Sequence, residues 1–296
     1  CISLTDACDA RGIPYTYSKD GKNILKMAIE SDVLIAVIGE RKDESGEAAS
    51  RASITLKPED EELLKGLHTF GKPVVVILFN GRPLAISQLN ETASAILEAW
   101  HPGVEAGNAL LDILYGEVNP SGKLTTTFPY TTGQCPMYYA HINTGRPGGK
   151  SKFTSKYLDT PLEPVYPFGY GLTYQPFTAS NLKVEQDGEN VRVTLSVTNE
   201  GSEAASQKVQ VYVKDLESSL AVPNHSLAAF RAVHLNAGET QEVVLTVKRR
   251  SFEAVNEEGE WVLDSHRFRI YAGFSQPDAR SVALMGQAPL ETEWTL

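Results

Sequence analysis

The residues most able to do chemistry in this sequence are the carboxylates of one short stretch, Glu40-Arg-Lys-Asp-Glu-Ser-Gly-Glu-Ala-Ala-Ser-Arg51. Glu40, Asp43, Glu44 and Glu47 stand close together within it. A carboxyl group acts as general acid, general base or nucleophile when its surroundings hold it in the required protonation state. On residue type alone the stretch reads equally as a solvated charge run, because loops are polar and charges face water. Other chemistries lack their residues. No Gly-x-Gly-x-x-Gly or Walker pattern offers a phosphate cradle. No Gly-x-Ser-x-Gly elbow offers an esterase-type nucleophile. His68, His101, His141, His225, His234 and His266 are scattered without metal-ligand spacing, so neither a metal nor a cofactor is expected.

What places the acidic stretch is the run before it. Val33-Leu-Ile-Ala-Val-Ile-Gly39 is continuously apolar and ends in Gly, the pattern of a parallel strand buried on both faces. Pro73 to Phe79 repeats the pattern and Ala93 to Trp100 supplies a third strand. Helical spacing is expected over Ser3–Arg11, Asn23–Ser31 and Val104–Tyr115, with a further helix opening at Pro58, where a missing N–H costs nothing, and stopping near Gly71. Ile13 to Ser18 reads as a short β-rich run. Strands alternating with helices predict a mostly parallel sheet with helices on both faces, a three-layer α/β sandwich over residues 1–130. Ligand sites in such sheets lie beyond the carboxyl ends of the strands, where the acidic stretch falls.

From Pro120 to Phe177 Pro, Gly and Thr are too dense for regular elements, so residues 131–177 read as connecting and interface loops. From 178 to 296 the period becomes two. Val191–Val197, Lys208–Val213, Glu242–Val247 and Phe268–Ala272 alternate, with turn signals such as Asp187-Gly188 and Glu258-Gly259 between them. That spacing predicts an antiparallel β-sandwich.

The chain has 296 residues, is 42% hydrophobic and 22% charged, and carries a net charge of −10. Basic and acidic residues number 16 and 20 over 1–177, and 11 and 17 over 178–296. Neither half is a basic docking surface, which argues against nucleic acid and anionic membranes as partners. No run of about 18 apolar residues is present to span a bilayer. Cys1, Cys8 and Cys135 form no disulfide framework or zinc spacing; unpaired cysteines lean toward a reducing compartment, and so toward the cytoplasm.

Several segments resemble the C-terminal half of glycoside hydrolase family 3, the β-glucosidase and β-xylosidase family. They include Asp32 to Glu40, Ser45-Gly-Glu47 with Ser50-Arg51, Gly71-Lys-Pro-Val-Val-Val-Ile-Leu and Asn80-Gly-Arg-Pro-Leu84. They continue with Ala99-Trp-His-Pro-Gly-Val-Glu-Ala-Gly107, Asn119-Pro-Ser-Gly-Lys-Leu124, Tyr138-Tyr139 with Asn143-Thr-Gly-Arg-Pro147, and Tyr166 to Tyr174. Their order covers residues 30–175 almost without a break. The sandwich resembles the fibronectin type III-like domain that follows in many members, through Val197-Thr-Asn-Glu-Gly201, Val209 to Val213 and Leu235 to Thr240.

The resemblance implies a retaining, exo-acting β-glycosidase, foremost a β-glucosidase, acting on a β-linked oligosaccharide or glycoside. Two carboxyl groups about 5–5.5 Å apart then divide the work. In the family the nucleophilic Asp lies in an N-terminal (β/α)8 barrel and the acid/base Glu in the loop after a strand matching Val33–Gly39. The Ser45-Gly-Glu47 step matches that motif, which makes Glu47 the general acid/base, with Glu44 second because the loop varies in length. Asp43 and Glu40 are expected to orient the loop or to be solvated. Arg51 either orders the loop by pairing with Glu47 or Glu44 or lies on the rim of a sugar subsite. Arg82 is expected to tie turn carbonyls at a strand end. Trp100 and His101 follow a strand end, as a stacking aromatic or as core. Tyr138, Tyr139, Asn143 and Arg146 are expected at a domain interface first and in contact with substrate second. Phe168 and Tyr170 are expected to anchor the linker on the sandwich.

A barrel needs about 250 residues of βα units, and no Asp here matches the nucleophile motif. The expected partner is therefore a barrel on a separate polypeptide or a severed N-terminal half. The chain opens at Cys1 just before a helix that the family precedes with a strand of the same sheet, so that partner is also expected to fill the sheet. Alternative readings are a β-xylosidase and a non-catalytic carbohydrate-binding or interaction module of the same fold.

Overall fold

The computed structural model describes residues 1–19 and 21–296. They divide into two compact units. One comprises residues 1–118 and 128–135, the other residues 119–127 and 136–296. The chain thus leaves the first unit at 118, returns for one short segment and leaves again.

In the first unit α1 (Leu4–Arg11) starts at a reciprocal cap. The Ser3 hydroxyl accepts from the Asp6 N–H at 3.1 Å, and the Asp6 carboxylate accepts from the Ser3 N–H at 2.9 Å. After α1 the chain expected to form a strand at Ile13–Ser18 is irregular. The Ile13 N–H caps the helix at Cys8 O instead. Pro14 has no N–H to give a ladder, and no strand among the described residues lies alongside. α2 (Ile24–Glu30) leads to β1 (Leu34–Gly39). α3 (Pro58–His68) has Pro at its first turn with Glu59, Asp60 and Glu61, where acids suit the helix dipole, and it buries Leu64 and Leu67. Next come β2 (Val74–Phe79), the short α4 (Leu89–Thr92), β3 (Ala95–Glu98) and α5 (Ala106–Leu114). α5 lies on α1 through Ala7, Cys8 and Leu111. Gly107 permits the approach, since a Cβ there would stand 2.0 Å from Ser3 O.

The sheet order is β1-β2-β3, all parallel. Gly39 is in register with Phe79, and Leu78 with Glu98. All three strands therefore release their next residues at one edge. α3 packs on β1 and β2. β1 does not read as buried on both faces: Leu34, Ala36 and Ile38 are buried, whereas Ile35 and Val37 are 44% and 54% exposed. β1 is an edge strand of this sheet, and only one of its faces is packed.

The second unit is antiparallel. One sheet orders β12-β11-β6-β7 and the other β4-β5-β8. The strands are β4 (Phe177–Asp187), β5 (Asn190–Asn199), β6 (Ala205–Asp215), β7 (Ser226–Leu235), β8 (Thr240–Val247), β11 (Arg267–Gly273) and β12 (Leu290–Thr295), with a small β9 (Ala254–Val255) and β10 (Trp261–Val262) ladder and α6 (Ala279–Met285). Inward residues of β5, β6, β8 and β11 form its core, among them Val193, Leu195, Val211, Leu245 and Ile270. β4 carries a bulge between Ser180 and Lys183, with Asn181 at φ 56°. The Tyr166–Tyr174 segment is held by side-chain amides of the sandwich. Gln210 donates to Gly169 O at 3.0 Å and Gln276 to Phe168 O at 2.7 Å, while the buried Tyr212 hydroxyl donates to Gln210 Oε1 at 2.6 Å.

Candidate active site

The loop between β1 and α3 is built on a buried carboxylate. The Glu40 backbone N–H continues the sheet by donating to Phe79 O at 2.8 Å, and its side chain has no exposure at all. A buried anion persists only when paired and hydrogen-bonded. Glu40 Oε1 faces Arg82 Nε at 2.9 Å and Arg51 at 3.3 Å, and Oε2 accepts from the Gly81 N–H at 3.0 Å. Arg51 also donates to Thr55 O at 3.5 Å. Arg51 therefore pairs with Glu40, and not with Glu44 or Glu47, because the chain folds back between them.

Arg82 turns this anchor into a loop grip. Its terminal nitrogen donates to Glu44 O at 2.7 Å and to Ala49 O at 2.8 Å. The expectation that Arg82 ties turn carbonyls is met at these two atoms. Between them Gly46 has φ 111° and Ala48 φ 58°. The latter is costly for a residue with a Cβ, and such conformations gather at functional sites. The turn lies close against β2: a Cβ on Gly81 would stand 1.9 Å from Ser45 Oγ and 3.0 Å from His101 Nε2.

The four carboxylates separate by environment. Glu40 is buried and paired. Glu44 accepts from the Arg41 N–H at 2.7 Å and pairs with Lys57 Nζ at 2.6 Å. The Lys57 ammonium, with that backbone bond, holds its carboxyl below the usual range. Asp43 is exposed. Glu47 is exposed at the loop apex, and no hydrogen bond or ion pair among the described residues engages it. Of the four, Asp43 and Glu47 have no side-chain partner among the described residues, and Glu47 is the one that lies between the two carbonyls Arg82 holds.

A fifth acid, Glu98, closes β3 at the same edge. Its carboxylate accepts from the Trp100 N–H at 2.9 Å and faces Asn80 Nδ2 at 3.4 Å. Burial outweighs these bonds and pushes its pKa up to about 7. Trp100, at φ 50°, packs on Phe128 with ring centroids 5.7 Å apart. Asn80 is fully buried, donates to Arg82 O at 2.9 Å, and leaves Oδ1 without a partner among the described residues. In the sequence Glu98 stands only within the expected strand Ala93 to Trp100, and Asn80 only as the first residue of Asn80-Gly-Arg-Pro-Leu84, neither with a role at a site. The available signal was a charged residue ending an apolar run.

The other expected contact residues belong to the second unit. Tyr138 is 68% exposed. Tyr139 stacks on Phe168 at 4.1 Å, and its hydroxyl accepts from the Leu227 N–H at 3.2 Å. Both line a depression of about 360 Å³ with Thr125, Thr126, Thr127 and Phe168. Asn143 exchanges amide hydrogen bonds with Asn224, one of them 3.0 Å long. Arg146 is exposed, and its backbone carbonyl accepts from the Ser155 N–H.

A parallel α/β unit with a gripped carboxylate loop, followed by a two-sheet β-sandwich, defines the class of chain. The family model for the glycosyl hydrolase family 3 C-terminal domain matches residues 8–174, and that for the fibronectin type III-like domain matches residues 207–276. The chain belongs to glycoside hydrolase family 3. It is 38% identical over 257 residues to a periplasmic β-glucosidase of Salmonella typhimurium, covering 84% of this chain and 34% of that protein. It is 33% identical over 294 residues to a β-xylosidase of Formosa agariphila, covering 96% of this chain and 39% of that one. The crystal structure of a β-glucosidase from Listeria innocua in complex with gluconolactone superposes with a TM-score of 0.85 at 37% identity, over 95% of this chain and 39% of that chain. The chain thus spans between a third and two fifths of the length of these relatives.

Proposed function

We propose that this chain is the acid/base-bearing part of a retaining, exo-acting β-glycosidase, foremost a β-glucosidase, with Glu47 as its general acid/base. The observation that carries the reading is the contrast within one loop: Glu40 and Glu44 are engaged, while Glu47 lies between the two carbonyls that Arg82 holds and has no side-chain partner among the described residues. Family membership and the names of the relatives support the substrate class.

In the first step a nucleophilic Asp attacks the anomeric carbon. As the glycosidic bond breaks, Glu47 gives its proton to the departing oxygen. In the second step the Glu47 carboxylate takes a proton from water as that water displaces the Asp from the sugar, and the acid form is restored. The Asp would come from a (β/α)8 barrel, on another polypeptide or an N-terminal part. The share of the relatives' length that this chain covers supports that division. The completed α/β domain would carry helices on both faces of the sheet and cover Ile35 and Val37. The Formosa relative, aligned over nearly the whole chain, favours β-xylosidase as the second reading.

The test assays the chain alone and with the barrel on aryl β-glucosides and β-xylosides. Turnover is expected only with the barrel; substantial turnover by this chain alone refutes the division of roles. Glu47→Gln in the reconstituted enzyme should lower kcat/KM for a poor leaving group by about 10²–10⁴-fold and much less for an activated one. Equal losses would refute the acid role. Sugar or barrel binding with no dependence on Glu47 would mark a non-catalytic module.

A further inference from the structure

We infer that Glu40 and Arg82 are positioning residues that set where the acid/base carboxyl stands. The inference rests on the reading of Glu47 as that group. No hydrogen bond or ion pair among the described residues engages the Glu47 side chain, so its place follows from the backbone of residues 44–49. Among the described residues that backbone is hydrogen-bonded from the sheet side by one guanidinium. Arg82 receives Glu40 on its Nε side at 2.9 Å and spends its terminal nitrogen on the carbonyls of Glu44 and Ala49, at 2.7 and 2.8 Å, on either side of Glu47.

Glu40 is itself well fixed. It directly follows β1, its backbone N–H donates to Phe79 O, its side chain is excluded from solvent, and its second oxygen takes the Gly81 N–H. The planar fork matters because its donors point in fixed directions, whereas an ammonium at the end of a flexible stem fixes none of them. Gly81 completes the fit, since a Cβ there would stand 1.9 Å from Ser45 Oγ and force that side chain to move. A displacement of about 1 Å at a reacting group costs on the order of 10²-fold in rate. The clamp is thus a rate determinant although neither residue touches the reacting atoms.

The experiment uses the complete enzyme, this chain with its barrel, and compares Arg82→Lys, Glu40→Gln and Glu47→Gln. Each is assayed by kcat/KM on an aryl β-glucoside with a poor leaving group and on one with an activated leaving group. Arg82→Lys is expected to lose about 10²-fold on the first and only a few-fold on the second, because departure of an activated phenolate needs no acid. Loss of folded protein would lower both alike, so the ratio between substrates separates positioning from stability. If Glu40→Gln does not fold, Arg51→Ala is the second variant. It removes the longer of the two ion pairs on Glu40, and a smaller loss with the same selectivity is expected. Equal loss on both substrates, or none, in Arg82→Lys overturns the clamp while a selective Glu47→Gln leaves the acid/base assignment standing. A Glu47→Gln variant without selectivity overturns the assignment and the clamp together.

Discussion

Glu98 makes the stability of the α/β unit depend on pH in a direction opposite to most carboxylates. Its pKa is about 7 in place of an ordinary 4.5, because burial penalises the charged form more than Trp100 N–H and Asn80 favour it. Between those two values the native state keeps a proton that the unfolded chain has released. Stability from this group is therefore complete below about pH 4.5, falls as pH rises, and is exhausted above about pH 7. At 1.36 kcal/mol per pKa unit the loss is on the order of 3 kcal/mol. With a urea dependence of about 2 kcal/mol per M, the midpoint falls by roughly 1.5 M across that window. Trp100 is the tryptophan of this unit, and Trp261 and Trp294 belong to the sandwich. With those two replaced by Phe, its emission reports the right transition. Glu98→Gln keeps an acceptor for the Trp100 N–H and removes the titration. Asp60, also raised by burial, acts in the same direction, so the comparison of parent and variant isolates Glu98. Parallel pH profiles in the two proteins would refute the reasoning.

Other expectations follow from single contacts. Gly39→Ala would put a Cβ 2.3 Å from Phe79 O at φ 127°, and a loss of about 2–3 kcal/mol is expected in urea unfolding of the α/β unit. Leu195→Ala empties a fully buried position in the sandwich and should cost about 2–5 kcal/mol there, read from Trp261 and Trp294 emission. Glu44→Gln weakens the bond to Lys57. Faster amide exchange of residues 41–49 is expected, with the melting temperature of the unit nearly unchanged, since a partly exposed pair contributes little to global stability.

Much of this architecture was legible because its signals are local. Pro58 with the acids behind it marked α3, and the alternation of Val191 to Val197 marked a half-buried strand that β5 reproduces. β4 and β7 were missed for a physical reason. Both are edge strands, β4 with a bulge, and their burial does not alternate cleanly. β1 misled in the other direction: an apolar run shows what a strand is able to bury, not whether both faces are packed here. At the site, the fork of Arg82 was readable from the strand-end turn that holds it. The partner of Arg51 was not, since Glu40 becomes its neighbour only once the loop folds back. The weight of Glu98 was not readable either, because its burial arises where Asn80 and Trp100, from different strand ends, close over it.

The grip on the loop is made entirely to carbonyl oxygens. Arg82 reads Glu44 O and Ala49 O, groups that every amino acid carries. The hold itself therefore asks nothing of the side chains at 44 and 49, and the exposed apex at 47 is able to display different chemistry on the same frame. The turn still asks for residues that accept the positive φ of Gly46 and Ala48, and Ser45 must still fit against Gly81. The remaining demand for particular residues falls on those that make the grip, Glu40, Gly81 and Arg82.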